Sequence, residues 1–235
     1  MSQAQRNEKS VLRRFGTLLT VIGLLLIVGG IGLVLYNMWD NDRAGNAADA
    51  ILKQIEDEQA DMGVSNAPAP PSRSDKDVDE RVTDTDAWRK NQTMPTMLID
   101  GFRYIGTLEI PSLGIRLPVM DTWDYDRLKI SPCLYSGSYF TDDMVICGHN
   151  YQRHFSPIKG VDMDADVYFI TADKVIYHYT VSNRETVQPT SVEEMIRNMN
   201  NRDPEDGDLE DWDLTLFTCN TGGQTRCAVR CIRAK

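Results

Sequence analysis

Hydrophobic and polar positions divide the chain into three regimes. From Phe15 to Trp39, "FGTLLTVIGLLLIVGGIGLVLYNMW", no side chain is charged. At about 1.5 Å of rise per residue, such a run crosses a hydrocarbon core of roughly 30 Å as a helix. It predicts a transmembrane anchor at 15–39: the run is longer than the apolar core of a cleavable signal peptide and, unlike a core helix, apolar on every side. Next, Ala47, Ala48, Ile51, Leu52 and Ile55 recur at helical spacing in "AADAILKQIEDEQA", which predicts a short amphipathic helix. The periodicity stops from Asp61 to Thr85, where "DMGVSNAPAPPSRSDKDVDERVTDT" offers Pro, Ser and charge and almost nothing to bury. Burial cannot offset the entropy of ordering such a stretch, so a flexible stalk is expected there. Residues 40–99 as a whole are assigned to a stalk or linker.

The third regime starts at "MLIDGFRYIGTLEIP". The runs "YIGTLEI", "IRLPVM", "DMVICGHN", "DVYFITA", "VIYHYTVSNRETVQ", "DLTLFTC" and "RCAVRCIRA" are rich in Val, Ile, Tyr, Phe and Thr, with Gly, Pro, Asn and Asp between them. Short strands at such spacing predict a mainly β domain at 100–235, a closed barrel or a sandwich, with few helices. At about 135 residues it is large enough for a single core. One helix is marked by the capping-box pair Ser191 and Glu194, with Val192, Met195, Ile196 and Met199 on one side of "SVEEMIRNM". "WDYDRLK", Trp123 to Lys129, is a second short candidate.

Charge adds orientation. Arg6, Lys9, Arg13 and Arg14 precede the apolar run, and Asp40, Asp42 and Asp49 follow it. The excess of positive charge predicts residues 1–14 in the cytoplasm and everything beyond Trp39 outside the cell membrane. A formal net charge of −10 sets nucleic acid aside as a partner, because that class needs a basic face.

An external domain permits disulfides, but the count of 5 cysteines leaves at least one thiol unpaired. Cys227 and Cys231 lie on one face of one strand with Cα atoms roughly 13 Å apart, so they do not pair with each other. There is no C-x-x-C, and "CAVRC" on a strand does not bring two thiolates to one ion, so no metal site is expected. Cys133, Cys147, Cys227 and Cys231 are read as small buried hydrophobes. Cys219 differs, because it ends a strand and opens the polar, glycine-rich turn "NTGGQT", where a side chain reaches a surface groove. His149 follows another strand end in "VICGHNY", and Arg226 and Arg230 point away from the face of Cys227, so that one or both can flank the thiolate. Such a set has the parts of a nucleophilic site: a cation lowers a thiol's pKa, an imidazole moves protons, and a guanidinium supplies fixed donors to an oxyanion.

Three segments carry a family resemblance. "TLFTC", Thr215 to Cys219, resembles the TLxTC signature of sortases; "GHN", Gly148 to Asn150, is similar to their histidine segment; and "YIGTLEIPSLGIRLPV", Tyr104 to Val119, is similar to their opening strands. The resemblance covers Gly101 to Arg233 with the segments in the family's order. It implies an eight-stranded sortase-type β-barrel and a membrane-anchored cysteine transpeptidase at a Gram-positive cell surface. Such enzymes need no cofactor. They cleave an LPxTG-like sorting signal, hold the acyl part on cysteine as a thioester, and pass it to an amine acceptor on a cell-wall precursor or a pilin. Carried over, Cys219 is the nucleophile, His149 the acid/base, and Arg226 the holder of substrate backbone or oxyanion, with Arg230 its rival. Asn150, Thr218 and His154 are the neighbouring candidates for substrate contact.

Within the family, "GHNYQRHF" and the helix-bearing segment after "ETVQP" resemble class B. "TDAWRK", with Asp86, Ala87 and Trp88, is similar to the lid of pilin-assembling class C enzymes but lacks its proline, and Trp88 is read as packing on the barrel. The acidic loop Asp203 to Asp213 lacks a calcium-ligand register and is read as solvated. Two rival functions stand beside transpeptidation: a cysteine hydrolase using the same pair with water as acceptor, and a catalytically silent tethered binding module.

Overall fold

The computed structural model describes residues 3–61, 87–196 and 212–234. It comprises two compact units, Met1–Arg43 and Ala44–Lys235. Helix α1, Gln3–Asp61, supplies the first unit and opens the second. In the first unit it carries the apolar run, with large side chains such as Leu25, Leu26 and Leu33 exposed. The helix is long and apolar enough to cross a membrane.

Among its described residues the second unit has nine strands: β1 (Met97–Ile99), β2 (Phe102–Ile110), β3 (Ile115–Met120), β4 (Cys133–Ser136), β5 (Met144–Cys147), β6 (Asp166–Thr171), β7 (Ile176–Val187), β8 (Leu214–Cys219) and β9 (Arg226–Arg233). Short helices accompany them, among them α2 (Tyr125–Leu128) and α3 (Val192–Ile196). The strand order is β1-β2-β3-β4-β5-β8-β9-β7-β6, and β6 pairs back onto β2. That last pairing closes β2 to β9 into an eight-stranded barrel and leaves β1 as an extra strand on β2. At the closure a Cβ on Gly106 would meet the Ile170 carbonyl oxygen at 2.2 Å, so β2 is bare where β6 approaches.

Alternation along the strands sends side chains to two layers. Met144 and Ile146 of β5, Leu214 and Leu216 of β8, and Val229 of β9 join one cluster that fills the barrel. Their sequence neighbours Val145, Cys147, Phe217 and Ala228 face the other way, into a second cluster with Ile51 and Ile55 of α1, Met97 and Ile99 of β1, and Met195 of α3.

The end of α1 revises the expected domain layout. Residues 40–99 read as linker in the sequence, yet Ala44 to Asp61 lies in the same compact unit as the barrel. Ala44, Ala48, Ile51, Leu52 and Ile55 form a buried stripe at helical spacing. Polar contacts fix the register: Arg153 donates to Asn46 (2.7 Å) and Asp49 (2.5 Å), Gln59 to the Thr171 carbonyl (3.0 Å), and Lys174 to the Gln59 carbonyl (3.1 Å). A Cβ on Gly45 would collide with the Arg153 guanidinium, so the smallest residue sits where that arginine crosses the helix. The stalk expected from Asp61 to Thr85 falls, after Asp61, outside the described residues. A helical turn at 87–90 follows, where buried Arg89 donates to Asp142 at 3.0 Å. Arg233 pairs with the same carboxylate. Trp88 meets Phe140 edge-on at 6.4 Å and stays exposed.

Candidate active site

Strands β5 and β8 run parallel, with Cys147 opposite Phe217. His149 and Cys219 each lie two residues beyond that last paired position, which brings both to the same end of the barrel wall. Two hydrogen bonds hold the strand ends together: Gly148 N donates to the Phe217 carbonyl at 3.0 Å, and Thr218 Oγ1 to the Gly148 carbonyl at 2.9 Å. Gly148 is required there, because a Cβ would stand 2.4 Å from the Phe155 ring. Across the β8–β9 hairpin, Cys219 is the register partner of Arg226. The hairpin is short and closed, with Asn220 N donating to Thr225 O at 2.9 Å and Gly222 and Gly223 at positive φ (86° and 72°).

Cys219, His149 and Arg226 line one cleft of about 210 Å³. Cys219 is a free, partly exposed thiol. Arg226 Nη1 donates to the carbonyls of Gly223 (2.8 Å) and Thr225 (3.2 Å), and its other donors carry no bond among the described residues. His149 stacks on Tyr151, centroids 3.9 Å apart and planes at 9°. Asn150 and Thr218 also line the cleft, Asn150 accepting from Lys159 Nζ at 2.6 Å.

The cleft is lined by neither of the other two candidates. Arg230 is buried on the far part of β9, where it donates to Glu185 (2.7 Å), Thr215 Oγ1 (2.7 Å) and the carbonyls of Glu194 (2.7 Å) and Met195 (3.0 Å). Those partners pin α3 and β7 to the sheet and leave the side chain nothing to offer a substrate. His154 is fully buried, under α1 rather than at the surface. Burial holds its pKa at about 4, with the Ala44 backbone partly opposing and the positive charges of Arg153 and His149 adding to the depression.

The family model of the sortase domain matches residues 108–234. The chain belongs to the sortase family. It is a sortase-type cysteine transpeptidase. Comparison with curated proteins gives no match. Among solved structures, this sortase is similar to Clostridium perfringens sortase C with the C-terminal cell wall sorting motif (19% identity, 78% of this chain and 99% of that chain covered, TM-score 0.51). It is also similar to sortase C from Clostridium perfringens SM101 (22% identity, 65% and 84% covered, TM-score 0.45) and to Listeria monocytogenes sortase A (21% identity, 56% and 88% covered, TM-score 0.44).

Sequence reading missed the aromatic wall of this sortase's cleft. Asp124 caps α2 by accepting from the backbone of Asp126 and Arg127, both at 2.8 Å, and so fixes Trp123 and Tyr125 at the cleft mouth. Trp123 lies 5.4 Å from Tyr135, which meets Phe217 edge-on at 5.1 Å. The segment "WDYDRLK" was visible as a helix, but nothing in it says which wall it faces. Tyr135 sits on β4, a strand of four residues that the sequence pattern did not reveal. Met195 of α3 and Pro189 complete the lining, while the acidic loop lies largely outside the described residues.

Proposed function

We propose that this sortase is anchored by its apolar helix with the barrel outside the cell membrane. It cleaves an LPxTG-like sorting signal and transfers the acyl fragment to an amine. The observation that carries this reading is the single cleft shared by Cys219, His149 and Arg226, with Cys219 and Arg226 as cross-strand partners. The Cys219 thiolate attacks the scissile carbonyl, and Arg226 donates to the oxygen as it becomes anionic. Collapse of the tetrahedral species expels the amine of the leaving peptide, which takes a proton from His149 and leaves a thioester on Cys219. The neutral imidazole then accepts a proton from the incoming amine as it attacks, and a second collapse restores the thiolate. The largely apolar wall of the cleft suits an amine acceptor over water by limiting hydration of the thioester.

The test uses the purified full chain in detergent, an LPxTG-type peptide and an added oligoglycine amine. An amide adduct, and a thioacyl mass on Cys219 trapped before the amine is added, are the expected products. Hydrolysis alone would reassign the enzyme to water as acceptor, and neither product would leave a silent binding module. Sidedness is read independently by labelling Cys219 on intact cells with a membrane-impermeant maleimide.

A further inference from the structure

The cleft wall contains a second cysteine with a partner of its own. Cys133 of β4 and Cys147 of β5 are direct register partners in an antiparallel ladder. Residues so opposed have Cα atoms about 4.5–5.5 Å apart and side chains on one face, within the roughly 4.4–6.8 Å that a disulfide spans. Both are buried, and the Cys147 thiol lies 3.5 Å from the Cys133 carbonyl oxygen, so its sulfur is turned toward the partner strand. The remaining buried cysteines lack this arrangement: Cys227 is opposite Thr218 and Thr186, and Cys231 is opposite Leu214 and Val181. The transpeptidation cycle uses neither Cys133 nor Cys147, although Cys147, unlike Cys133, lines the cleft.

We propose that Cys133 and Cys147 form a cross-strand disulfide by exchange with a low-molecular-weight disulfide outside the membrane. The compartment rests on the orientation given under Proposed function; the pairing itself does not. The Cys147 thiolate attacks one sulfur of the donor and releases one thiolate, giving a mixed disulfide. The Cys133 thiolate then attacks the Cys147 sulfur, forming the internal bond and expelling the second thiolate. Two cysteine thiols are oxidised and one disulfide is reduced to two thiols, the protons leaving with the products. Burial raises the Cys133 thiol to about 12 and the Cys147 thiol well above its ordinary range, so exchange in the folded protein runs slowly. The bond closes a loop that contains Tyr135 and the turn before β5, and so braces the strand that leads into His149.

The experiment takes the full chain in detergent with Cys219→Ala, which removes the nucleophile from the exchange. After equilibration with oxidised glutathione, the chain is unfolded in N-ethylmaleimide, digested and weighed. The expected result is one linked peptide pair holding Cys133 and Cys147, with Cys227 and Cys231 alkylated. The oxidised chain should melt on the order of 5 °C higher than the reduced one. That rise should vanish in Cys133→Ser and, as a second control, in Cys147→Ala. Four alkylated cysteines after equilibration, or a link from Cys133 or Cys147 to Cys227 or Cys231, overturns the proposal. Maleimide labelling of Cys219 in the unaltered chain on intact cells tests the orientation by a separate readout, so failure of one does not imitate failure of the other.

Discussion

Tyr151 lies flat against His149, two residues away, with ring planes at 9° and centroids 3.9 Å apart. The same tyrosine accepts through its carbonyl from His154 N (3.1 Å) and Ser156 N (3.0 Å), so the ring that touches His149 is held by a tightly bonded turn. Stacking of this kind is worth about 0.5–1.5 kcal/mol, and here it is spent on orienting one imidazole. Tyr151→Ala should lower kcat/KM by roughly 2- to 10-fold. Tyr151→Phe should restore most of that loss, since the ring face does the positioning. If the phenylalanine variant is as poor as the alanine one, the hydroxyl matters and the stacking account is wrong.

Arg226 and Arg230 differ in surroundings, and their alanine variants should fail in different ways. Arg226→Ala removes a donor from the cleft and should cost about 10²–10³ in kcat with thermal unfolding nearly unchanged. Arg230→Ala strips four hydrogen-bonded groups of a buried partner and should destabilise the barrel by about 3–5 kcal/mol. Turnover and melting measured on both variants decide the matter; a stable, inactive Arg230→Ala would exchange their roles.

His154 makes stability depend on pH in a defined window. Its folded pKa is about 4, against 6.5 for the exposed side chain. Between those values the unfolded chain takes up a proton that the folded protein refuses, so stability is full above 6.5, falls as pH drops toward 4, and levels off below. The whole effect is about 3 kcal/mol at most. Asp49 and the Ala44 backbone oppose it, while Arg153 and His149 add to it. His154→Leu should flatten this part of the profile, read from urea midpoints at pH 7 and pH 4.5. Parallel profiles for the two proteins would show that acid acts through other groups.

The helical segment Ala44–Asp61 should behave as part of the catalytic domain. Burial of Ile51, Leu52 and Ile55 is worth roughly 1.5–3 kcal/mol for each side chain. A fragment of residues 44–235 should therefore melt well above a fragment of residues 101–235, by more than about 5 °C. Ile55→Ala in the longer fragment should cost about 2–4 kcal/mol. Equal melting temperatures for the two fragments would return the helix to the role of spacer.

The contrast between that helix and the barrel shows what could be read from the sequence. Strands such as Ile115–Met120 and Leu214–Cys219 announced themselves as short apolar runs with β-branched residues among them, bounded by turn residues. Alternation also placed Arg226 and Cys227 on opposite faces. The stripe from Ala44 to Ile55 was visible too, but periodicity says only that a face seeks cover, and here the cover is supplied by residues a hundred positions away. For Arg230 and His154 the same holds: charge and a polar turn made them candidates for the cleft, and the sequence does not show that α3 in one case and α1 in the other close over them. Tyr135 stayed hidden because its strand is only four residues long, and the short helix after Trp123 was legible without showing that Trp123 faces the cleft.

Strand β8 lies between β5 and β9 in the ring, although β6 and β7 come between β5 and β8 in the chain. Cys219 thus arrives on a late segment that must slot beside a strand made some seventy residues earlier, as the Thr218 to Gly148 bond records. Until β8 and β9 are in place the ring is open and Cys219 does not stand beside the strand that leads into His149. An acyl-transfer enzyme of this build has its cleft only once the β8–β9 hairpin has joined β5.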